Sequence, residues 1–157
     1  MVSTYSLDVA SRTAKYQMNI KHIYKIAEEA HSGQFRRDGK TPYITHPLRI
    51  AQKIRNKGGS ETHQAVALLK DCLDKTRETR TSMILKGVPE EVVDAVEALT
   101  KTDRSISYAE YLREVKKNPL AREVKVQDIL DNLSDSPSPN QIMRYSIALL
   151  DLHGIMF

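Results

Sequence analysis

The chain has 157 residues, of which 40% are apolar and 28% charged, and its 24 basic and 20 acidic residues leave a net charge of +4. That length suits one domain of about 100–200 residues, able to bury a core without disulfide or metal staples. The composition excludes a disordered, collagen-like or low-complexity chain, and a single cysteine, Cys72, excludes an internal disulfide.

The elements predicted from the pattern are helical nearly throughout. Ile20, Ile23, Ala27 and Ala30 fall at helical spacing and predict a helix from Tyr16 to Ser32. Gly33 interrupts it, and Gln34–Thr45 reads as a loop holding Arg36-Arg37, Gly39 and Pro42. Pro47 suits the first turn of the next helix, where its missing N–H costs nothing; that helix carries Leu48, Ala51 and Ile54 and ends at Gly58-Gly59. Ser60 reads as the N-cap of the most apolar helix, running through Ala65, Val66, Leu68, Leu69, Cys72 and Leu73. A short helix over Thr79–Lys86 follows, then one opened by Pro89 and one capped by Ser107. Asn118-Pro119 separates that helix from Leu120–Leu133. A loop, Ser134–Asn140, precedes a last helix over Gln141–Leu152. The prediction is an all-α fold of about eight helices in one domain over residues 1–157.

No apolar run reaches the about 18 residues of a membrane span, and the first residues, MVSTYSLDVASRTAKYQ, lack the apolar stretch of a signal peptide. The expected compartment is the cytoplasm, with no membrane partner. The mild positive charge admits an anionic ligand without requiring nucleic acid. Zinc-finger spacings and RNA-binding motifs are absent, so no nucleic-acid partner is expected.

A few polar residues sit where polarity needs an explanation. Asp71 lies among Leu68, Leu69, Cys72 and Leu73, and Asp128 among Val124, Val126, Ile129 and Leu130. Each must be paired, solvated or bound to a cation. His46 starts a helix just after the basic loop. The other polar candidates have plain readings: Asp131 as solvent-facing, Lys101 and Lys125 as solvated, and His31 as a packed helix end. In KDCLDK, Lys70 with Asp74 and Asp71 with Lys75 stand at i, i+4 and read as two ion pairs on one helix face.

Four blocks in order, AHSGQFRRDGKTPYITHPLRIA, AVALLKDCLDKT, GVPEEVVDAVEALTKT and YLREVKKNPLAREVKVQDILDNLSD, resemble the HD-domain alarmone hydrolases of the RelA/SpoT type in their short stand-alone form. The resemblance covers about residues 16–152. It implies a single HD-type helical domain and removal of the 3′-pyrophosphate of ppGpp with a bound manganese ion. By the same resemblance His46, Asp71 and Asp128 are the metal ligands, Arg36 and Arg37 meet nucleotide phosphates, and Asn132 lines the nucleotide site. The acid/base pair falls on Asp74 and Lys75.

The chain departs from that pattern at two places. The His-Asp doublet that names the fold reads Lys70-Asp71, and the Glu-Asp pair reads Asp74-Lys75. An ammonium has no lone pair for a metal. Its charge repels a divalent ion by a few kcal/mol at about 4 Å and an effective dielectric near 20. His63 lies seven residues earlier, roughly 10 Å along the helix, and is no substitute. The expectation is therefore a degenerate hydrolase that keeps a pocket for a guanine nucleotide such as ppGpp, with no cofactor or weakly bound Mn2+. The alternatives are an active (p)ppGpp or related nucleotide phosphohydrolase, and an interaction module with a vestigial pocket.

Overall fold

Local caps set where the helices begin in the computed structural model, which describes residues 17–155. Helix α1 (Ile20–Ala30) starts at Asn19, whose side chain accepts from the backbone of Lys21 and His22; the expected start at Tyr16 lies outside the described residues. Helix α2 (Thr45–Asn56) begins two residues ahead of Pro47 and puts the proline in the first turn. Ser60 caps α3 (Glu61–Leu69) by accepting from the His63 backbone. A single turn, α4 (Cys72–Lys75), leads to α5 (Arg80–Leu85) and α6 (Glu90–Leu99). Ser107 and Glu110 form a reciprocal cap for α7 (Tyr108–Lys116), and Asn118 caps α8 (Pro119–Leu133). Ser138 and Gln141 cap α9 (Pro139–Leu152), which starts two residues before the expected Gln141 because Pro139 fits the first helical position. Among the described residues the extended structure is one isolated bridge, Phe35 to Pro42, closing the basic loop.

Helix α3 is the centre. Ala65 through Leu69 are all buried, and the helix packs against α1, α2, α6 and α8. The half of the helix surrounded this way, Ala65–Leu69, is apolar on every side rather than along one stripe. Each large side chain so buried, such as Ile50, Val93 or Ile129, contributes about 1.5–3 kcal/mol relative to exposure. Helices α2 and α8 also pack on each other, which brings the first turn of α2 against the last two turns of α8.

The apolar helix was expected to run on through Leu73. It stops at Leu69 instead, and Lys70 and Asp71 form a turn with Asp71 at φ −102° and ψ −1°. On an unbroken helix adjacent side chains diverge by about 100°. The turn lets the Lys70 ammonium fold onto the Asp71 carboxylate, and Asp128 on the first and Tyr43 on the second hold it.

Candidate functional site

The basic loop supplies Tyr43, α2 supplies His46, Arg49 and Lys53, the α3–α4 turn supplies Lys70 and Asp71, and α8 supplies Lys125, Asp128, Asp131 and Asn132. Lys70 is only 7% exposed. Its ammonium donates to Asp71 Oδ2 at 2.6 Å and lies 3.1 Å from Asp128 Oδ1. The Tyr43 hydroxyl donates to the same Asp71 oxygen at 2.7 Å. His46 Nε2 is 3.0 Å from Asp128 Oδ1, and its Nδ1 is 2.7 Å from Asp131 Oδ2. Lys125 Nζ reaches Asp128 Oδ2 at 3.4 Å while standing 5.3 Å from the centre of the Tyr111 ring. Asn132 donates to Asp128 Oδ1 at 3.4 Å. Behind His46, Asp131 accepts from Arg49 at 3.1 and 2.9 Å and from Lys53 at 3.1 Å.

Two ammonium groups thus face two carboxylates, with no net charge. Burial alone would push Asp71 and Asp128 up toward the neutral acid. The adjacent Lys70 charge reverses this, holding Asp71 below the usual carboxylate range and Asp128 well below it. Burial would likewise pull Lys70 and Lys125 down, and the carboxylates raise both instead. For Asp131 burial again works upward, and the bonds from Arg49, His46 and Lys53 bring it down. Burial and the Asp71 charge push the Tyr43 phenol up.

These shifts give the stability a pH profile. The carboxylates titrate below their unfolded value of about 4, so their contribution is complete above it and is lost as pH falls through the folded values. The lysines titrate above their unfolded value of about 10.4, so theirs is complete below it and is lost as pH rises through the folded values. The thermal midpoint should be level between about pH 5 and 8 and fall on both sides, the buried Cys72 thiol, pushed up to about 12, adding to the alkaline fall. A midpoint at about pH 3 equal to that at about pH 7 would contradict this reading of the cluster.

The residues present do not fit a divalent cation. Among the described residues no three His, Cys, Asp or Glu side chains are placed to share one. An ammonium without a lone pair bridges Asp71 and Asp128. Both nitrogens of His46 face carboxylate oxygens, Nδ1 at 2.7 Å from Asp131 and Nε2 at 3.0 Å from Asp128.

Of the residues singled out in the sequence, His46, Asp71 and Asp128 converge, with Asn132 beside them. Arg36 stands at the edge of the cluster: it pairs with Asp135 at 3.0 Å and lies 5.9 Å from the Tyr43 ring centre. Arg37 is exposed. Asp74 and Lys75 are exposed and 3.9 Å apart, with Lys75 Nζ 5.9 Å from the Tyr43 ring. His31 is a buried helix end packed on Tyr43, with ring centres 4.8 Å apart.

Three sequence expectations are corrected. The pairs Lys70–Asp74 and Asp71–Lys75 do not form, because the helix breaks between Leu69 and Cys72 and Lys70 turns to Asp71 and Asp128. Asp131 is fully buried, not solvent-facing, because α2 lays His46, Arg49 and Lys53 over it. Lys125 lies against Asp128 and Tyr111 rather than in solvent. Sequence reasoning missed Tyr43, Arg49 and Lys53. The available signal was the i, i+3, i+7 spacing of His46, Arg49 and Lys53, which puts the three on one face of the helix.

The model of the family described as HD domain matches residues 24–130, a span that holds His46, the Lys70-Asp71 turn and Asp128. The chain belongs to the HD-domain family. The guanosine-3′,5′-bis(diphosphate) 3′-pyrophosphohydrolase of Aquifex aeolicus is 30% identical over 130 residues, covering 78% of this chain and 18% of that protein. The Xenopus tropicalis guanosine-3′,5′-bis(diphosphate) 3′-pyrophosphohydrolase MESH1 is 36% identical over 119 residues, 69% of this chain and 64% of that protein. This HD-domain chain spans under a fifth of the length of the bacterial relatives it matches. A metazoan ortholog of SpoT, reported to hydrolyze ppGpp and to play a role in starvation responses, has a solved structure that matches with a TM-score of 0.67 at 22% identity. The match covers 85% of this chain and 84% of that one. The fold is accordingly the all-α HD fold. Among the described residues no helix is long and apolar enough to cross a membrane.

Proposed function

We propose that this chain is a cytoplasmic, degenerate member of the ppGpp 3′-pyrophosphohydrolases that keeps a guanine-nucleotide pocket and has little or no metal-dependent hydrolysis. The observation that carries the reading is the Lys70 ammonium, 2.6 and 3.1 Å from the carboxylates of Asp71 and Asp128. A tethered cation there supplies the charge that an ion would supply, without its vacant coordination positions or its activated water. The acid/base positions reinforce this. Asp74 is one methylene shorter than glutamate and Lys75 has the opposite charge to aspartate, and loss of one such group costs about 10²–10⁴ in rate.

Nucleotide binding is supported by the cations around Tyr43. Arg36 and Lys75 flank the Tyr43 ring, and the exposed Arg37 follows Arg36 on the loop. Guanidinium forks match phosphate oxygens in pairs, and phosphates held by such cations bind less tightly as salt rises. The test is a ppGpp titration by calorimetry at low and physiological salt, with pyrophosphate release followed in manganese. The proposal predicts binding without turnover, and weaker, less salt-dependent binding in the Arg36→Ala, Arg37→Ala double variant. Turnover by the wild type at about 1 s⁻¹ or more would establish the active-enzyme reading instead. Unchanged affinity in the double variant would make the loop an ordinary solvated turn.

A further inference from the structure

Helix α9 is amphipathic, yet not all of its apolar residues face the core. Ala148 and Leu152 are buried, while Ile142, Met143 and Ile147 are 48%, 62% and 58% exposed. Met143 and Ile147 are one turn apart and share a face. Ile147 lies on a cleft of about 370 Å³ between α7 and α9, floored by Leu112 and Ala148. An isolated exposed apolar side chain needs no explanation, but a cluster bordering a cleft marks a contact surface.

The charge lining this cleft is mainly positive, with Arg113, Lys116 and Arg144 against Asp151. Arg113 and Arg144 line it and form no salt bridge among the described residues. The acids of the two helices already have partners: Glu110 in the α7 cap, Glu114 with Lys117, and Asp151, on the cleft wall, with Lys116 beside it. The Arg144 guanidinium is held in place, 5.5 and 5.2 Å from the ring centres of Tyr108 and Tyr145. Stacking of this kind fixes the stem and leaves the donor edge free for an outside carboxylate.

We propose that the α7–α9 cleft docks an amphipathic helix of another protein, one with an apolar stripe flanked by acidic residues. The cleft follows α7 for its nine residues, a length of about 13 Å, and so receives about two and a half turns of a helix. Its apolar floor takes the stripe, and Arg113 and Arg144 take the flanking carboxylates. A second copy of this chain fits worse, because a two-fold interface opposes the same patch to itself and would set Arg113 and Arg144 against their own charges. An anionic lipid surface also fits worse: a bilayer is flat, the floor of Leu112 and Ala148 is recessed, and Asp151 on the cleft wall would face the headgroups. The proposal does not depend on the nucleotide pocket.

The test is a display selection of helical peptides of about 14 residues on the full chain, counter-selected on Ile147→Asp, with affinities of the enriched peptides by fluorescence anisotropy. Enriched sequences should place Leu, Ile or Met at i, i+3 and i+4 with Glu or Asp beside them. Their binding should fall at least about tenfold in Ile147→Asp and in Arg144→Glu. Exchanging the peptide's acids for lysines should restore binding to Arg144→Glu and abolish it to the wild type. Circular dichroism checks that the variants fold, and Met143→Ser serves as the second apolar variant if Ile147→Asp does not. Peptides without acidic residues, or binding indifferent to Arg144→Glu, would overturn the proposal. So would a wild-type dimer in sedimentation equilibrium that Ile147→Asp dissolves, or sedimentation with phosphatidylserine vesicles that Ile147→Asp abolishes.

Discussion

Replacing Lys70 with methionine is expected to cost about 3–5 kcal/mol of stability, because it leaves a buried charge cluster without its central cation. Methionine fills nearly the same volume, so lost packing contributes little. Asp71 and Asp128 then face each other with the Tyr43 hydroxyl, His46, Asn132 and the more distant Lys125 as their remaining donors. Neutralising the carboxylates as well, with Asp71→Asn and Asp128→Asn, should recover most of the loss, since exchanging a whole buried ionic cluster for neutral groups is often nearly neutral. Urea unfolding of the wild type, the single and the triple variant measures both effects. A single variant within about 1 kcal/mol of the wild type would mean that Lys70 does not hold the site together.

The second large effect is a gain. Changing Lys70→His removes the ammonium and returns an imidazole lone pair between Asp71 and Asp128. The Asp131 carboxylate, 2.7 Å from His46 Nδ1, is placed to hold that ring with Nε2 directed at the same position. Lys70→His alone should gain manganese affinity with little turnover. Adding Asp74→Glu and Lys75→Asp should raise pyrophosphate release from ppGpp by about 10²-fold or more over either partial set. The effects should be far from additive, because ion and acid/base groups act as one unit. A triple variant that folds yet binds no manganese would show that the family's ligand geometry is absent here.

Much of this architecture is legible in the sequence because it is local. Ser60, Ser107 and Asn118 cap helices where their side chains meet a following apolar pattern, and Pro47 and Pro119 fall in first turns. Asp71 and Asp128 stand out as charges in apolar runs, and they do meet. The unread part is long-range. Asp131 looks solvated until its partners arrive from α2, 78 to 85 positions away in the chain. The break after Leu69 has no glycine or proline to announce it. It is held by Tyr43, 28 residues earlier, and by Asp128 on α8. Lys125 is on α8 too, where a lysine three residues before an aspartate reads as an ordinary surface pair. Periodicity cannot supply such contacts, because each depends on how two helices dock.

The central claim is that Lys70 holds the place of the ion. Its most direct test is the manganese content of wild-type protein purified without chelator, followed by a manganese titration in the calorimeter. The account predicts protein free of manganese and no saturable binding, with binding appearing in Lys70→His. About one tightly held manganese per wild-type chain would contradict it.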